Sequence, residues 1–350
     1  MLFFENTHCE RCGHALGFDW QKMDLLTLEP VDENAEVVGH LWHSITRPTQ
    51  PYVYCANAAY HTCNWLIPAG SSDTYCLACQ LNRTIPDLNI QQNVATWQRL
   101  EIAKHRLVYT LLRLNLPVIS KTKETESGLL FDFLADEPAA DGSRAKVITG
   151  HDDGVITLNI NEADDAERER MRQSMNEPYR TLLGHFRHEV GHYYWMLLAR
   201  DKTWRAAFRQ HFGDERQDYG AALEEHYNNG APANWQEHYV SAYASAHPWE
   251  DWAESWAHYC HIVDTLETAY AFDMTIEPRV ARDETLAATV DFDPYRKANF
   301  DEIFATWLPL TFAMNSLNRS MGVPDLYPFV NSPPAQAKLN FVHETIRKGV

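Results

Sequence analysis

Residues 185–200 read HFRHEVGHYYWMLLAR, and within them His188-Glu189-Val190-Gly191-His192 spells H-E-x-x-H. On a helix, residues four apart share a face, so His188 and His192 can offer two imidazole nitrogens to one metal ion. Glu189 stands beside them, where its carboxylate can take a proton from a metal-held water. The surrounding residues support a helix. Tyr179, Leu182, Leu183, Phe186, Val190, Tyr193 and Leu197 recur at spacings of three and four, a stripe suited to burial. The two histidines fall off that stripe, on a side free to line a cleft. His185 lies on a similar face and reads as a neighbour of the site, not a ligand.

Two histidines leave a protein zinc site one ligand short. Downstream, residues 247–256 (HPWEDWAESW) place three carboxylates at the start of a second helix. Pro248 suits its first turn, and the helix dipole favours acids there. Glu250 and Glu254 share a face, while Asp251 points about 100° away. This arrangement resembles the gluzincin metallopeptidases, in which a glutamate on a second helix is the third zinc ligand. An acidic residue four positions later then braces a zinc-bound histidine. The resemblance implies that Glu250 binds Zn²⁺ and that Glu254 orients His188 or His192 through the remaining ring N–H. Gluzincins often carry Asp at the second place, so the reversed assignment stays open, as does closure of the site by Asp251. Some gluzincin-like peptidases also place a tyrosine seven residues before the ligand, as an oxyanion donor. Here that residue is Tyr243, with His247 as the alternative donor.

Six of the seven cysteines lie before residue 88. Cys76-Leu77-Ala78-Cys79 is a zinc-knuckle pair, and Cys55 and Cys63 can complete a four-thiolate structural site with it. Cys9-Glu10-Arg11-Cys12 is a second knuckle. It either completes a site with histidines such as His8, His14 or His61, or is half of a larger one. Cysteines paired in this way point to metal ligation in a reducing compartment, not to disulfides.

Composition narrows the function. The 350 residues, 45% hydrophobic with 11 Trp and 16 Tyr, are enough for one large domain and a small one. A formal net charge of −18 argues against nucleic-acid binding. The cysteine-rich segment is itself acidic, with Arg11, Lys22, Arg47 and Arg83 against ten Asp and Glu, so a protein contact suits it better than phosphate. No apolar run reaches 18 residues, and the start, MLFFENTHCE, lacks the pattern of a secretory signal. A cytoplasmic protein is expected, without nucleic-acid or membrane partners.

The elements that must position these residues follow from periodicity. A break near Thr84-Ile85-Pro86-Asp87 predicts two domains, 1–88 and 89–350. Residues 93–115 read as a helix with Trp97, Leu100, Leu107, Leu111 and Leu114 inward, stopped by Pro117. Strands are predicted at Leu129–Leu134, Ala145–Thr149 and Val155–Ile160. The last alternates as an edge strand that could hold an extended peptide. Further helices are predicted at 162–175, 204–212, 218–228, 248–271, 298–317 and 335–347. Tyr193, Tyr194, Trp249 and Trp252 read either as core or as apolar subsites.

The stretches FFENTHCERCGHALGF, CNWLI, CLACQLNRTIPDLN, EPYRTLLGHFRHEVGHYYW and YASAHPWEDWAESWAHY together resemble a bacterial family of zinc-ribbon, zinc-binding metallopeptidases. The resemblance implies an α+β protein in which an N-terminal zinc ribbon precedes a mostly helical, zincin-like domain with a small sheet. It implies one catalytic Zn²⁺, at least one structural Zn²⁺ in the ribbon, and a peptide or protein substrate. Family members carry another C-x-x-C upstream of the FFEN stretch, so the resemblance leads to the expectation that Cys9 and Cys12 lack that partner pair. A non-catalytic zinc protein, with the ribbon as an interaction module, is the competing reading.

Overall fold

The computed structural model describes residues 4–31, 40–138, 144–145, 147–174, 180–279 and 284–350. Tyr179 and Lys146, each part of a predicted element, lie outside the described residues. Packing divides the chain into two units, residues 1–109 with 118–168, and residues 110–117 with 169–350.

In the first unit, alternating apolar residues build a five-stranded antiparallel sheet in sequential order. Its strands are β1 (Ala15–Asp19), β2 (Asp24–Pro30), β3 (Trp42–Ser44), β4 (Arg47–Tyr54) and β5 (Leu66–Pro68). Leu26, Leu28, Trp42, Tyr52, Tyr54 and Leu66 form its inner cluster. A second sheet, of four strands, follows. It contains β6 (Asn82–Thr84), β7 (Leu130–Leu134), β8 (Gly150–Asp152) and β9 (Val155–Asn159), in the order β8-β9-β7-β6. Between β6 and β7 runs α1 (Gln91–Arg113), whose Trp97, Leu100, Leu107 and Leu111 are fully buried as the stripe predicts. Asn115, in the left-handed region at φ 57°, turns the chain out of the helix before Pro117 is reached.

This sheet corrects two expectations. Residues 147–149 are not a strand, because polar side chains take their backbone groups: Val147 N–H donates to Asp136 at 2.9 Å, and Asn159 Nδ2 donates to the Val147 carbonyl at 3.2 Å. The strand forms instead at β8, joined to β9 by Asp153 and Gly154, both at positive φ. As a result β9 is not an edge. It pairs antiparallel with β8 and parallel with β7, so the backbone groups an edge would offer a peptide are already used. Strand β6, which precedes residue 88, pairs with β7 within this first unit.

The second unit is helical, with α2 (Asp165–Ser174) leading into it. It comprises α3 (Leu182–Leu198), α4 (Lys202–Phe212), α5 (Tyr219–Asn229), α6 (Pro248–Ala271), α7 (Phe300–Ser320) and α8 (Pro333–Lys348). The starts are capped as their sequences allow: Thr181 accepts from Gly184 N at 3.0 Å on α3, and His247 accepts from Trp249 N at 3.1 Å on α6. On α3, Leu182, Phe186, Val190 and Tyr193 are buried as predicted, whereas Leu183 and Leu197 are half-buried. Tyr194 and Trp252 are fully buried core residues, as is Tyr193, which leaves only half-buried Trp249 as a possible apolar subsite.

Helices α3 and α6 cross at Gly191. A Cβ there would lie 3.1 Å from Ala253 Cα and 3.2 Å from Trp256 Cβ. Trp252 Nε1 donates to the Gly191 carbonyl at 2.9 Å, and Tyr194 stacks on Trp256 with ring centroids 4.9 Å apart. The architecture is α+β, and among the described residues no helix is long and apolar enough to cross a membrane.

The crossing makes a testable prediction. On an open helix face, Gly191→Ala would gain about 1 kcal/mol of helix propensity. Here overpacking against Ala253 and Trp256, about 1–3 kcal/mol, outweighs that gain, and the melting temperature should fall. A thermal melt in which Gly191→Ala is more stable would contradict so close an approach.

Candidate metal centre

The crossing brings four side chains of α3 and α6 to one place. His188 and His192 project from α3 with their Nε2 atoms 3.2 Å apart. Glu250, on the first turn of α6 and 1% exposed, sets Oε2 3.0 Å from His188 Nε2 and 3.5 Å from His192 Nε2. These edges can be compared with those of a tetrahedral zinc site. Bonds of about 2.0–2.1 Å require donor atoms about 3.4 Å apart, and the three atoms fit that triangle. Glu250, not Glu254, joins the histidine pair. Glu254 Oε1 instead lies 2.8 Å from His188 Nδ1, and its Oε2 accepts from Ser241 Oγ at 2.6 Å. This is the carboxylate–imidazole relay that fixes ring orientation at metal sites.

Glu189 has a different environment. Its Oε1 lies 3.2 Å from His185 Nε2, so His185 is the neighbour the sequence suggests. Its Oε2 is buried and has no hydrogen-bond partner among the described residues.

In the first unit, Cys55, Cys63, Cys76 and Cys79 are buried together, with Cys63 Sγ 3.7 Å from Cys76 Sγ. Zn–S bonds of about 2.3 Å would place the sulfurs about 3.8 Å apart. Backbone N–H groups of Trp65 and Cys76 donate to the Cys63 and Cys55 sulfurs, at 3.3 and 3.4 Å. His105 Nε2 lies 3.7 Å from Cys79 Sγ and 3.9 Å from Cys76 Sγ.

Residues 93–345 match a family described as "Putative zinc-binding metallo-peptidase", and residues 1–90 match a zinc-ribbon domain family. The chain belongs to this metallopeptidase family. It is also 39% identical over 346 residues to uncharacterized proteins of Mycobacterium bovis and Mycobacterium tuberculosis, across 99% of its own length and 92% of theirs. No solved structure matches it.

Against the family's zinc chemistry, the remaining candidates sort by contact. Asp251 does not close the site; its Oδ2 lies 2.6 Å from Lys338 Nζ on α8. Burial pushes its carboxyl up to about 7, and Lys338 offsets only part of that. His247 is committed to structure: one nitrogen caps α6 and Nε2 lies 3.3 Å from the Gln217 carbonyl. Tyr243 sits with its ring centroid 5.9 Å from that of His188. Burial and the charge of Glu250 hold its hydroxyl well above the usual range, so it keeps its proton. Burial would also raise Glu254, but the hydrogen bond and charge of His188 outweigh it and pull the carboxyl down to about 2. Cys9 and Cys12 belong to no group of three or more metal-ligating side chains among the described residues, and Cys12 is exposed.

Two contacts were invisible in the sequence. Ser241 holds Glu254, and Tyr219 OH donates to Glu250 Oε1 at 2.6 Å. Neither residue stands at a spacing that marks it.

Two outcomes test the two donor sets. Alanine at His188, His192 or Glu250 should remove one equivalent of zinc by elemental analysis, whereas Asp251→Ala should retain it. Glu254→Ala should weaken that zinc by about 10–100-fold in a chelator competition. Separately, serine at Cys55, Cys63, Cys76 or Cys79 should unfold the ribbon sheet, because metal binding at such sites is folding energy. Circular dichroism showing an intact β1–β5 sheet in Cys76→Ser would count against a structural zinc there.

Proposed function

We propose that this protein is a zinc-dependent peptidase whose metal is held by His188, His192 and Glu250 and whose general base is Glu189. The observation that carries the reading is the division of labour among the carboxylates around the histidine pair. Glu254 has both oxygens engaged and Glu250 faces the histidine pair, while Glu189 keeps one oxygen without a partner. A zinc ion in this donor set supplies Lewis acidity, toward both the scissile carbonyl and the attacking water. Glu189 takes the proton of that water and passes it to the leaving amine. Burial would raise the Glu189 carboxyl, but the hydrogen bond from His185 lowers it. Tyr243 donates its hydroxyl to the oxyanion formed when the water adds.

The family's description supports a peptide or protein substrate, and the acidic ribbon segment, with its ten carboxylates, suits a protein partner better than a nucleic acid.

The test is a peptide-library cleavage assay run alongside metal analysis on the full chain. Glu189→Gln should keep its zinc and lose turnover, while Tyr243→Phe should lower kcat by about 10²–10³-fold. Zinc-loaded wild type that cleaves nothing across a broad library would instead favour a non-catalytic zinc protein.

A further inference from the structure

Helix α5 buries none of its residues, yet its first residue reaches a carboxylate that is 1% exposed. Tyr219 OH donates to Glu250 Oε1 at 2.6 Å, a short bond of the charge-assisted kind. The ring is held by its neighbours: its centroid lies 5.2 Å from that of His247, with the planes at 89°, and 5.5 Å from that of Trp249. His247 is itself fixed as the cap of α6, and Asp218 caps α5 by accepting from Ala221 N at 2.9 Å. The hydroxyl is thus aimed by packing.

The target of that bond matters. Glu250 has two oxygens, and only Oε2 faces the histidine nitrogens. A carboxylate free to turn can give both oxygens to one metal and fill a position that a catalytic site must leave open. We propose that Tyr219 is a positioning residue that holds Glu250 to one-oxygen coordination and so keeps the fourth position of the centre open. The proposal rests on the metal reading of His188, His192 and Glu250. A merely structural tyrosine would contribute to stability and leave coordination unchanged.

The experiment uses the full chain with zinc left in the ribbon. A chelator strips the more labile site, which is refilled with Co²⁺. Absence of thiolate-to-cobalt charge transfer in the near ultraviolet verifies that the ribbon has not exchanged. Wild type should show the intense visible bands of four-coordinate cobalt. Tyr219→Phe should show the weaker bands of a five-coordinate ion, together with metal affinity lowered by about 10–100-fold. If Tyr219→Phe keeps the wild-type spectrum and affinity, changing only its melting temperature, the positioning role is wrong while the metal site stands. If wild type takes up no cobalt outside the ribbon, and His188→Ala behaves as wild type does, both the role and the metal reading fall.

Discussion

The chemistry of the second unit depends on how closely α3 and α6 approach at Gly191. With no side chain there, the α3 backbone lies against Ala253 and Trp256, and the Trp252 indole bonds to the Gly191 carbonyl. That bond fixes the register of one helix against the other. Glu250 precedes Ala253 by one helical turn and Glu254 follows it directly, so both carboxylates fall beside the imidazoles that flank Gly191. The glycine inside H-E-V-G-H is therefore a packing requirement as much as part of a motif. A Cβ there would press on Ala253 and Trp256 and so on the helix that carries Glu250 and Glu254.

The same approach creates an electrostatic problem. His188, Glu189 and Glu250 are buried and Glu254 is half-buried, and unpaired buried charges cost on the order of several kcal/mol each. The protein meets this by giving almost every polar atom a partner. Glu254 bridges His188 and Ser241, Glu250 bridges Tyr219 and the histidine pair, and Glu189 turns one oxygen to His185. Among the described residues two oxygens of these groups stay buried without a hydrogen bond: Glu250 Oε2, which faces the histidine nitrogens, and Glu189 Oε2, on the residue assigned as base. Polar satisfaction and proposed chemistry thus bear on the same atoms, and the pattern explains why two carboxylates one residue apart, Glu250 and Asp251, have different surroundings. Asp251 points round the helix to Lys338, as the roughly 100° turn per residue requires.

How much of this could be read in advance depends on the range of the interactions. The pairs His188/His192 and Glu250/Glu254 were legible because four-residue spacing on a helix is a local property, and the burial of Trp97, Leu100, Leu107 and Leu111 on α1 was legible for the same reason. The third donor came from a resemblance, and the geometry groups it with the histidines. Tyr219 and Ser241 come from segments before α6 whose course no short-range period reveals. The edge-strand reading of β9 failed similarly. Alternation reports that one face is buried, but not which strands lie on either side, and here β8 supplied an unforeseen neighbour. His247 looked chemically available from its type alone; only its place at the helix start shows both nitrogens engaged.

The contrast with the cysteine cluster bears on why the two donor sets should behave differently. Four buried sulfurs leave no position for a substrate atom, and amide N–H groups of Trp65 and Cys76 donate to the Cys63 and Cys55 sulfurs. Beyond them, His105 is tied by Nδ1 to the Glu101 carbonyl at 2.7 Å, which directs Nε2 toward Cys79 and Cys76. Glu101 is in turn paired at 2.8 Å with Lys104, and both side chains are fully buried. Such a cluster is committed on every side, and its metal would serve to hold α1 against the sulfur-bearing loops. The α3–α6 site is built with three donors and a carboxylate oxygen to spare. The difference between a closed set of four and an open set of three is what separates a folding element from a centre able to do chemistry.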